Sequence, residues 1–302
     1  MYSQIDANKR KTWILLSIFS VFVVLLITFA GMMFGLEPAP ALIGGSTFAI
    51  VYCLISFYVS DKVTLATAGA KEIQKNEHRD LYNLIENLSI TAGIPTPKIY
   101  VIDDPSPNAF ATGRDPNHAS VAMTTGLLKV LNKQELQGVL AHEISHIKNY
   151  DIRIMTLVVV LIGLVILLAD VVQRITFYKS NIRSQKGGPQ MLILFFGMIL
   201  VAGILAPIVS QVIKLAISRT REYLADASGA MLTRYPEGLA GALEKIKTHG
   251  TKLNKANHAT AHLYISSPFG SKQKSKIGFF DRLFMTHPPI DDRISKLRGM
   301  TK

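Results

Sequence analysis

The chain has 302 residues, of which 49% are hydrophobic, and a formal net charge of +12. This hydrophobic content, with a positive mean hydropathy, argues against a purely soluble protein. The positive charge does not indicate nucleic-acid binding, because no recognition motif and no single basic helix accompanies it. The single cysteine, Cys53, cannot form an intrachain disulfide, so the fold requires no oxidising compartment.

Four uncharged blocks hold much of the apolar sequence: 13–34, 41–59, 154–169 and 191–213. A membrane-spanning helix needs roughly 20 mostly apolar residues. The blocks 13–34, 41–59 and 191–213 meet this length, and the block 154–169 is near the lower limit. The first block is too long for a secretion signal and lacks a convincing cleavage site, which indicates a retained signal anchor.

The basic residues predict the orientation in the membrane. Lys9, Arg10 and Lys11 place the N-terminus in the cytoplasm, since loops rich in Lys and Arg stay on that side. The same rule places residues 62–153 and the chain after Lys214 in the cytoplasm. The loop between the third and fourth blocks, however, carries four basic residues and would lie outside. Either this hairpin spans against the rule or it does not fully cross.

The sequence predicts four regions: an N-terminal transmembrane helix pair (1–62), the first half of a catalytic domain (63–150), a hydrophobic helical hairpin (151–218) and the second catalytic half (219–302). Apolar periodicity predicts a helix that ends before Gly93 and Pro95.

Further elements are predicted within the two catalytic halves. Short strands are expected at 98–103, 108–113 and 120–124. Helices are expected after Asn132, over 218–232, and from Pro236 to about 247. The polar stretch 248–276 predicts a flexible lid or insertion.

The run Ala-His-Glu-Ile-Ser-His contains an H-E-x-x-H motif. His142 and His146 are four residues apart, so they lie on one helical face and can bind one Zn²⁺ together. Glu143 lies between them and is placed to act as general base on a water activated by the zinc. By spacing alone, the motif also fits a solvated helix that matches by chance.

A zinc site with two histidines needs a third protein ligand. A third histidine at the H-E-x-x-H-x-x-G-x-x-H spacing is absent, whereas Glu222 lies on a later predicted helix. Asp226, four residues on, would orient a ligand histidine by accepting its ring N–H. The small residues at 225 and 227–230 favour a close approach of the two helices. The alternatives are an exposed Glu222 paired with a neighbouring arginine and a surface carboxylate at Asp226.

These motifs resemble the membrane metallopeptidase family that contains the bacterial heat-shock proteases of the HtpX group and the CAAX prenyl endopeptidases. The resemblance covers nearly the whole chain, including H-E-I-S-H, S-R-T-R-E-Y-L-A-D and T-H-P-P-I-D-D-R-I. Four blocks and this length match the HtpX group best, since CAAX proteases have more spans. The resemblance implies a mainly α integral membrane protein with a cytoplasmic α+β, zincin-like catalytic domain that contains a small β-sheet.

The resemblance also implies residue roles that the pattern alone does not give. His142, His146 and Glu222 would bind one Zn²⁺. Asn108 would lie on an edge strand that binds extended substrate, His287 would stabilise the oxyanion, and Arg293 would support that part of the cleft. From the residues alone, His287 is a turn histidine and Arg293 a surface helix residue. The other histidines match no motif and are expected on the surface: His78, His118, His249, His258 and His262.

The resulting hypothesis is a multi-pass zinc endopeptidase of the cell membrane, with its site facing the cytoplasm. Its partners would be polypeptide substrates, above all misfolded or damaged membrane proteins, and the lipid bilayer, without nucleic acid. Two alternatives stay open. One is a prenyl-protein processing protease. The other is a proteolytically silent membrane scaffold that keeps zinc only for folding, against which the intact Glu143 argues.

Overall fold

A computed structural model describes residues 2–33, 35–163, 218–257, 259–270 and 288–300. These residues form two long apolar helices, a small sheet and a group of shorter helices packed beside it. The predicted mainly helical architecture with a small sheet is therefore confirmed.

Helices α1 (Tyr2–Met33) and α2 (Pro38–Ala68) form the N-terminal part of the chain. In the described part of the chain, two stretches are long and apolar enough to cross a membrane: Ile5–Thr28 within α1 and the whole of α2. Helix α2 runs past the predicted boundary at residue 62 and ends where Gly69 adopts a left-handed conformation, with a φ of 69°.

Small side chains on α2 allow it to pack closely on α1. Ala41, Gly45 and Ala49 recur every four residues and are buried. A Cβ atom on Gly45 would lie 3.0 Å from the carbonyl oxygen of Val24 on α1. Helices in lipid associate through close contacts of this kind. Apolar side chains elsewhere on α2 are left exposed, such as Ile43 at 68%, which suits contact with lipid.

Four strands within the described residues form one sheet in the order β1-β2-β4-β3: β1 (Ala70–Glu72), β2 (Lys98–Ile102), β3 (Ala109–Gly113) and β4 (Ala119–Thr124). Strands β2 and β4 are parallel, and the other two pairs are antiparallel. The three predicted strands are confirmed. Strand β1 was not predicted, because its Ala-Lys-Glu sequence has no β-forming residue and its extended conformation depends on pairing with β2. Strand β3 lies at one edge of the sheet.

Helices α3 (Arg79–Ala92), α4 (Thr125–Val130) and α5 (Lys133–Lys148) lie in the first half of the predicted catalytic domain. The predicted cap of α5 is confirmed. The Asn132 side chain accepts from the Glu135 N–H at 2.9 Å, and the Glu135 carboxylate accepts from the Asn132 N–H at 2.8 Å. This reciprocal capping fixes where the helix that carries H-E-x-x-H begins.

The described residues of the second half form three helices: α6 (Arg219–Thr233), α7 (Pro236–His249) and α8 (Ile290–Gly299). Helix α5 packs against both α6 and α7, so residues from the two halves share one hydrophobic core. A Cβ atom on Gly138 of α5 would lie 2.6 Å from the backbone nitrogen of Leu239 on α7. The division at 63–150 and 219–302 stays a prediction.

The predicted hydrophobic hairpin is described only at its start. Residues 151–163 are helical, and their apolar side chains share a core with α1 and α2. The Tyr52 hydroxyl of α2 donates to the carbonyl of Val160 at 2.9 Å. The rest of the third block and the whole of the fourth lie outside the described residues.

The predicted flexible lid at 248–276 is packed against the protein over its described part, which reaches residue 270. Leu263, Tyr264 and Ile265 are each no more than 3% exposed. His262, expected on the surface, is fully buried and its Nε2 lies 2.8 Å from the carbonyl oxygen of Met155. His262 is therefore not at the surface, and the described part of this stretch is not a free lid. The reason is that the apolar run around His262 packs between strand β3 and the helical residues 151–163.

Candidate metal centre and catalytic residues

Helix α5 carries the two histidines of the motif on one buried face. His142 is 1% exposed and His146 is 4% exposed. Their Nε2 atoms lie 3.2 Å apart. Two imidazole nitrogens bound tetrahedrally to one Zn²⁺ at about 2.0–2.1 Å are separated by roughly 3.3 Å. The two rings are therefore spaced as two ligands of a single ion.

Helix α6 brings Glu222 to the same point. Its carboxylate oxygens lie 3.9 Å from Nε2 of His142 and 3.6 Å from Nε2 of His146. One ligand atom from each of the three residues lies within 4.8 Å of the others, and all three side chains are buried. A carboxylate facing two imidazoles in a buried site is a donor set that suits a divalent cation such as zinc.

The close approach of α6 to α5 depends on small residues, as predicted. Ala225, Gly229 and Ala230 are buried on the face of α6 towards α5. A Cβ atom on Gly229 would lie 3.0 Å from the backbone nitrogen of His142. This backbone has little freedom to move, because it carries the motif itself.

We expect a Gly229→Val substitution to push α6 away from α5 and so draw Glu222 away from the two histidines. The affinity for zinc should fall at least tenfold, measured by chelator competition on the full chain in detergent. Met231→Val is the matched control, since it creates the same side chain on the same helix at a position that is 78% exposed. Equal zinc affinity in the two variants would contradict this role of Gly229.

Asp226 contacts the Nδ1 side of the His142 ring. Nδ1 of His142 lies 2.9 Å from Oδ1 of Asp226, the contact that the predicted orienting role requires. Arg293 of α8 donates to both oxygens of the same carboxylate, at 2.8 and 2.6 Å. Burial would raise the pKa of Asp226, but the Arg293 charge and the hydrogen bonds from His142 and Arg293 together outweigh it and lower the pKa to about 2. The carboxylate stays ionised, so it accepts from Nδ1 and leaves Nε2 free to bind a metal.

The ring of His146 has a carboxylate partner that the sequence did not predict. Nδ1 of His146 lies 3.0 Å from Oδ2 of Asp151, which is 2% exposed. Burial would lower the pKa of His146, but the hydrogen bond to Asp151 and the charge of Glu222 raise it to about 9. The sequence offers one sign of this contact, which is an aspartate five residues after the second histidine. On a continuous helix that spacing would not place it beside the ring.

Glu143 follows His142 in the motif, and its carboxyl group interacts with the backbone of strand β3. It is 2% exposed, and burial raises the pKa of its carboxyl group to about 7. A backbone hydrogen bond from Ala111 of β3 acts in the opposite direction. Glu143 is outside the three-residue cluster. A buried carboxyl group with a pKa near neutrality is suited to both accepting and returning a proton.

The resemblance alone implied roles for three residues: Asn108, Arg293 and His287. Asn108, just before edge strand β3, is 2% exposed, and its side-chain amide donates to the carbonyl of Ser266 at 2.9 Å. Arg293 is fully buried. The expectation from the residues alone, a surface position for Arg293, is therefore wrong, because pairing with Asp226 allows a charge to be buried. His287 lies outside the described residues.

Comparisons with known proteins identify the family of the chain. The model of peptidase family M48 matches residues 75–301. A protease HtpX homolog from Dictyoglomus thermophilum is 47% identical over 302 residues, covering 99% of this chain and 94% of its own. One from Tropheryma whipplei is 42% identical over 304 residues, covering 99% of this chain and 98% of its own.

Among solved structures, the crystal structure of S. mikatae Ste24p is 18% identical with a TM-score of 0.47, over 98% of this chain and 67% of that one. The family match covers well over half of the chain, and the relatives are similar along nearly all of it. The resemblance to the HtpX group is confirmed, and the chain belongs to peptidase family M48.

Proposed function

We propose that this protein is a membrane-bound zinc endopeptidase that cuts misfolded or damaged membrane proteins as part of a stress response. The observation that carries the proposal is the buried cluster of His142, His146 and Glu222 with Glu143 beside it. Membership of a peptidase family and the relatives described as protease HtpX homologs support the reaction class. The kind of substrate is what the resemblance to the HtpX group implies.

His142, His146 and Glu222 would hold the metal ion. Two imidazoles and one carboxylate are a common ligand set of catalytic zinc, which leaves a position open for water or substrate. When bound, the ion supplies Lewis-acid chemistry: it makes water more acidic and polarises the scissile carbonyl. Burial lowers the pKa of His142, which favours the neutral imidazole that a ligand must be, whereas the raised pKa of His146 means that its ring would release a proton when the ion binds.

Glu143 would be the general base. Its carboxylate accepts a proton from the attacking water and later delivers that proton to the nitrogen of the leaving amine. Its buried position keeps bulk water from competing for the proton. His287, which resemblance implies near the oxyanion, would donate a hydrogen bond to it.

Two predicted roles are revised in this proposal. The resemblance implied that Asn108 and Arg293 belong to the substrate cleft, with Asn108 on its edge strand and Arg293 supporting the same part. The contacts of Arg293 with Asp226, and of Asn108 with Ser266, favour positioning roles instead. Arg293 would hold Asp226, the carboxylate that orients His142. Asn108 would hold the segment that follows Ile265 against the edge of β3, where the Ile265 N–H donates to the carbonyl of Ala109.

The site would face the cytoplasm in a multi-pass protein of the cell membrane. The supporting observation is that Asn8, near the N-terminal end of α1, contacts Asp151 beside the metal cluster. The cluster is therefore level with the end of α1 that carries the basic run 9–11, and positive charge favours the cytoplasmic side.

A metal and substrate assay on the full chain in detergent tests the proposal. We expect one zinc per chain, loss of cleavage on chelation and its recovery when zinc is restored. An unfolded membrane protein should be cut, and a prenylated C-terminal peptide should be cut no faster than the unmodified peptide. A strict requirement for the prenyl group would favour the processing protease. Stoichiometric zinc without any cleavage would favour the silent scaffold.

A further inference from the structure

The turn between α5 and the helical residues 151–163 has a strained backbone. Tyr150 has a φ of 59°, a left-handed conformation that residues other than glycine adopt at a cost. On a continuous helix, residue 151 would lie about 140° around the axis from His146. The turn instead brings the Asp151 carboxylate to 3.0 Å from Nδ1 of His146. The strained backbone is thus the local cause of the contact between Asp151 and the metal cluster.

The first membrane helix holds this turn. Asn8 of α1 is 1% exposed, and its side-chain amide donates to Oδ1 of Asp151 at 2.7 Å and to the carbonyl of Asn149 at 2.9 Å. The next residue, Lys9, places its ammonium 4.7 Å from the centre of the Tyr150 ring. Two consecutive residues of α1 therefore contact Asn149, Tyr150 and Asp151, although they are more than a hundred positions away in sequence.

Among the described residues, three side chains contact the Asp151 carboxylate in this buried site. These are the His146 ring, the Asn8 amide and the guanidinium of Arg221 on α6, whose Nη1 lies 3.8 Å from Oδ1. A buried carboxylate keeps its position only while its hydrogen bonds are made. Without the Asn8 amide, Oδ1 would lose its closest donor, and the carboxylate would be free to turn away from His146.

We propose that Asp151 is a positioning residue for His146 and that Asn8 of the first membrane helix holds Asp151 in place. Zinc affinity would then depend on the packing of α1 against the turn. The inference rests on the proposed zinc site. A carboxylate behind a ligand imidazole fixes the ring and strengthens it as a donor, and loss of such a partner typically lowers metal affinity about 10- to 100-fold. A chain whose first helix is not packed against the turn would bind zinc weakly and cleave slowly.

The test measures the zinc dissociation constant by chelator competition, and the Co²⁺ absorption spectrum, for the full chain in detergent. Asn8→Leu removes the amide at similar size, Asn8→Ala is a second variant that keeps the helix, and Asp151→Asn removes the charge. Each should raise the dissociation constant roughly 10- to 100-fold and alter the Co²⁺ spectrum. The double variant Asn8→Leu/Asp151→Asn should bind no more weakly than Asp151→Asn, because both changes act through one carboxylate.

Tyr52→Phe is the matched control, since it removes one hydrogen bond between a membrane helix and residues 151–163 without touching the turn. Its zinc affinity should equal that of the wild type. If Asn8→Leu and Asn8→Ala lower the thermal midpoint but bind zinc within twofold of wild type, the inference is overturned. A wild-type chain that binds no zinc would overturn the proposed function itself, and this inference with it.

Discussion

A Glu143→Gln variant is expected to keep stoichiometric zinc while its kcat falls about 10²- to 10⁴-fold, the usual contribution of a general base. The amide has nearly the same shape as the carboxylate but cannot accept a proton from water. Zinc should stay, because the three donor atoms of the cluster come from His142, His146 and Glu222. KM should change little, since the lost interaction belongs to the transition state.

The measurement is zinc content together with single-turnover cleavage of an unfolded membrane protein. Glu135→Gln is the matched control: it is the same substitution on the same helix, at a capping position where glutamine also serves. It should keep both zinc and activity. Unchanged cleavage by Glu143→Gln would remove Glu143 from the reaction, and loss of zinc would make it a ligand instead.

The parts of the site that follow helical spacing were predictable from the sequence. The four-residue spacing of His142 and His146 places their rings together, and the cap at Asn132 fixes where their helix begins. Small residues around Gly229 indicated a close helix pair, and Glu222 and Asp226 share one face of α6. Local periodicity is enough for these features, because each depends on residues within a few positions of one another.

The features that the sequence did not predict depend on contacts between distant segments. Asp151 reaches His146 only because the chain turns at Tyr150, and a left-handed tyrosine has no sequence signal. Asn8 is a polar residue ahead of an apolar block, and nothing local indicates its partner 143 positions away. Arginine is usually found exposed and histidine is intermediate, and the burial of Arg293 and His262 depends on a partner from another element.

An Arg293→Met variant is expected to lose about 3–5 kcal/mol of stability, because it leaves the Asp226 carboxylate buried without its charged partner. The guanidinium makes two hydrogen bonds to Asp226 and a third, at 3.1 Å, to the carbonyl of Ile265. The His142 ring would also lose its fixed support, so zinc affinity should fall as well. Titration with a denaturing detergent in mixed micelles gives the free energy of unfolding.

Arg298→Met is the control on the same helix, where the side chain is 46% exposed and pairs with Glu237 and Glu244 at the surface. It should have little effect, since solvent screens such pairs. Replacing both partners, as Arg293→Met with Asp226→Asn, should recover part of the lost stability by removing the unpaired charge. A loss as small in Arg293→Met as in Arg298→Met would mean that Asp226 is not held by this ion pair.

The ion pair between Arg293 and Asp226 also predicts that the free energy of unfolding falls at acid pH. The folded-state pKa of Asp226 is about 2, below the ordinary value of 3.8 for an aspartate. A carboxyl group whose pKa is lowered by folding stabilises the protein fully above its unfolded pKa, and this contribution is lost as the pH falls through the folded pKa. Wild-type stability should therefore decline between about pH 4 and pH 2, partly through this group. The double variant, which has no carboxyl group at position 226, should show a shallower decline over that range, and an equally steep one would place the titrating groups elsewhere.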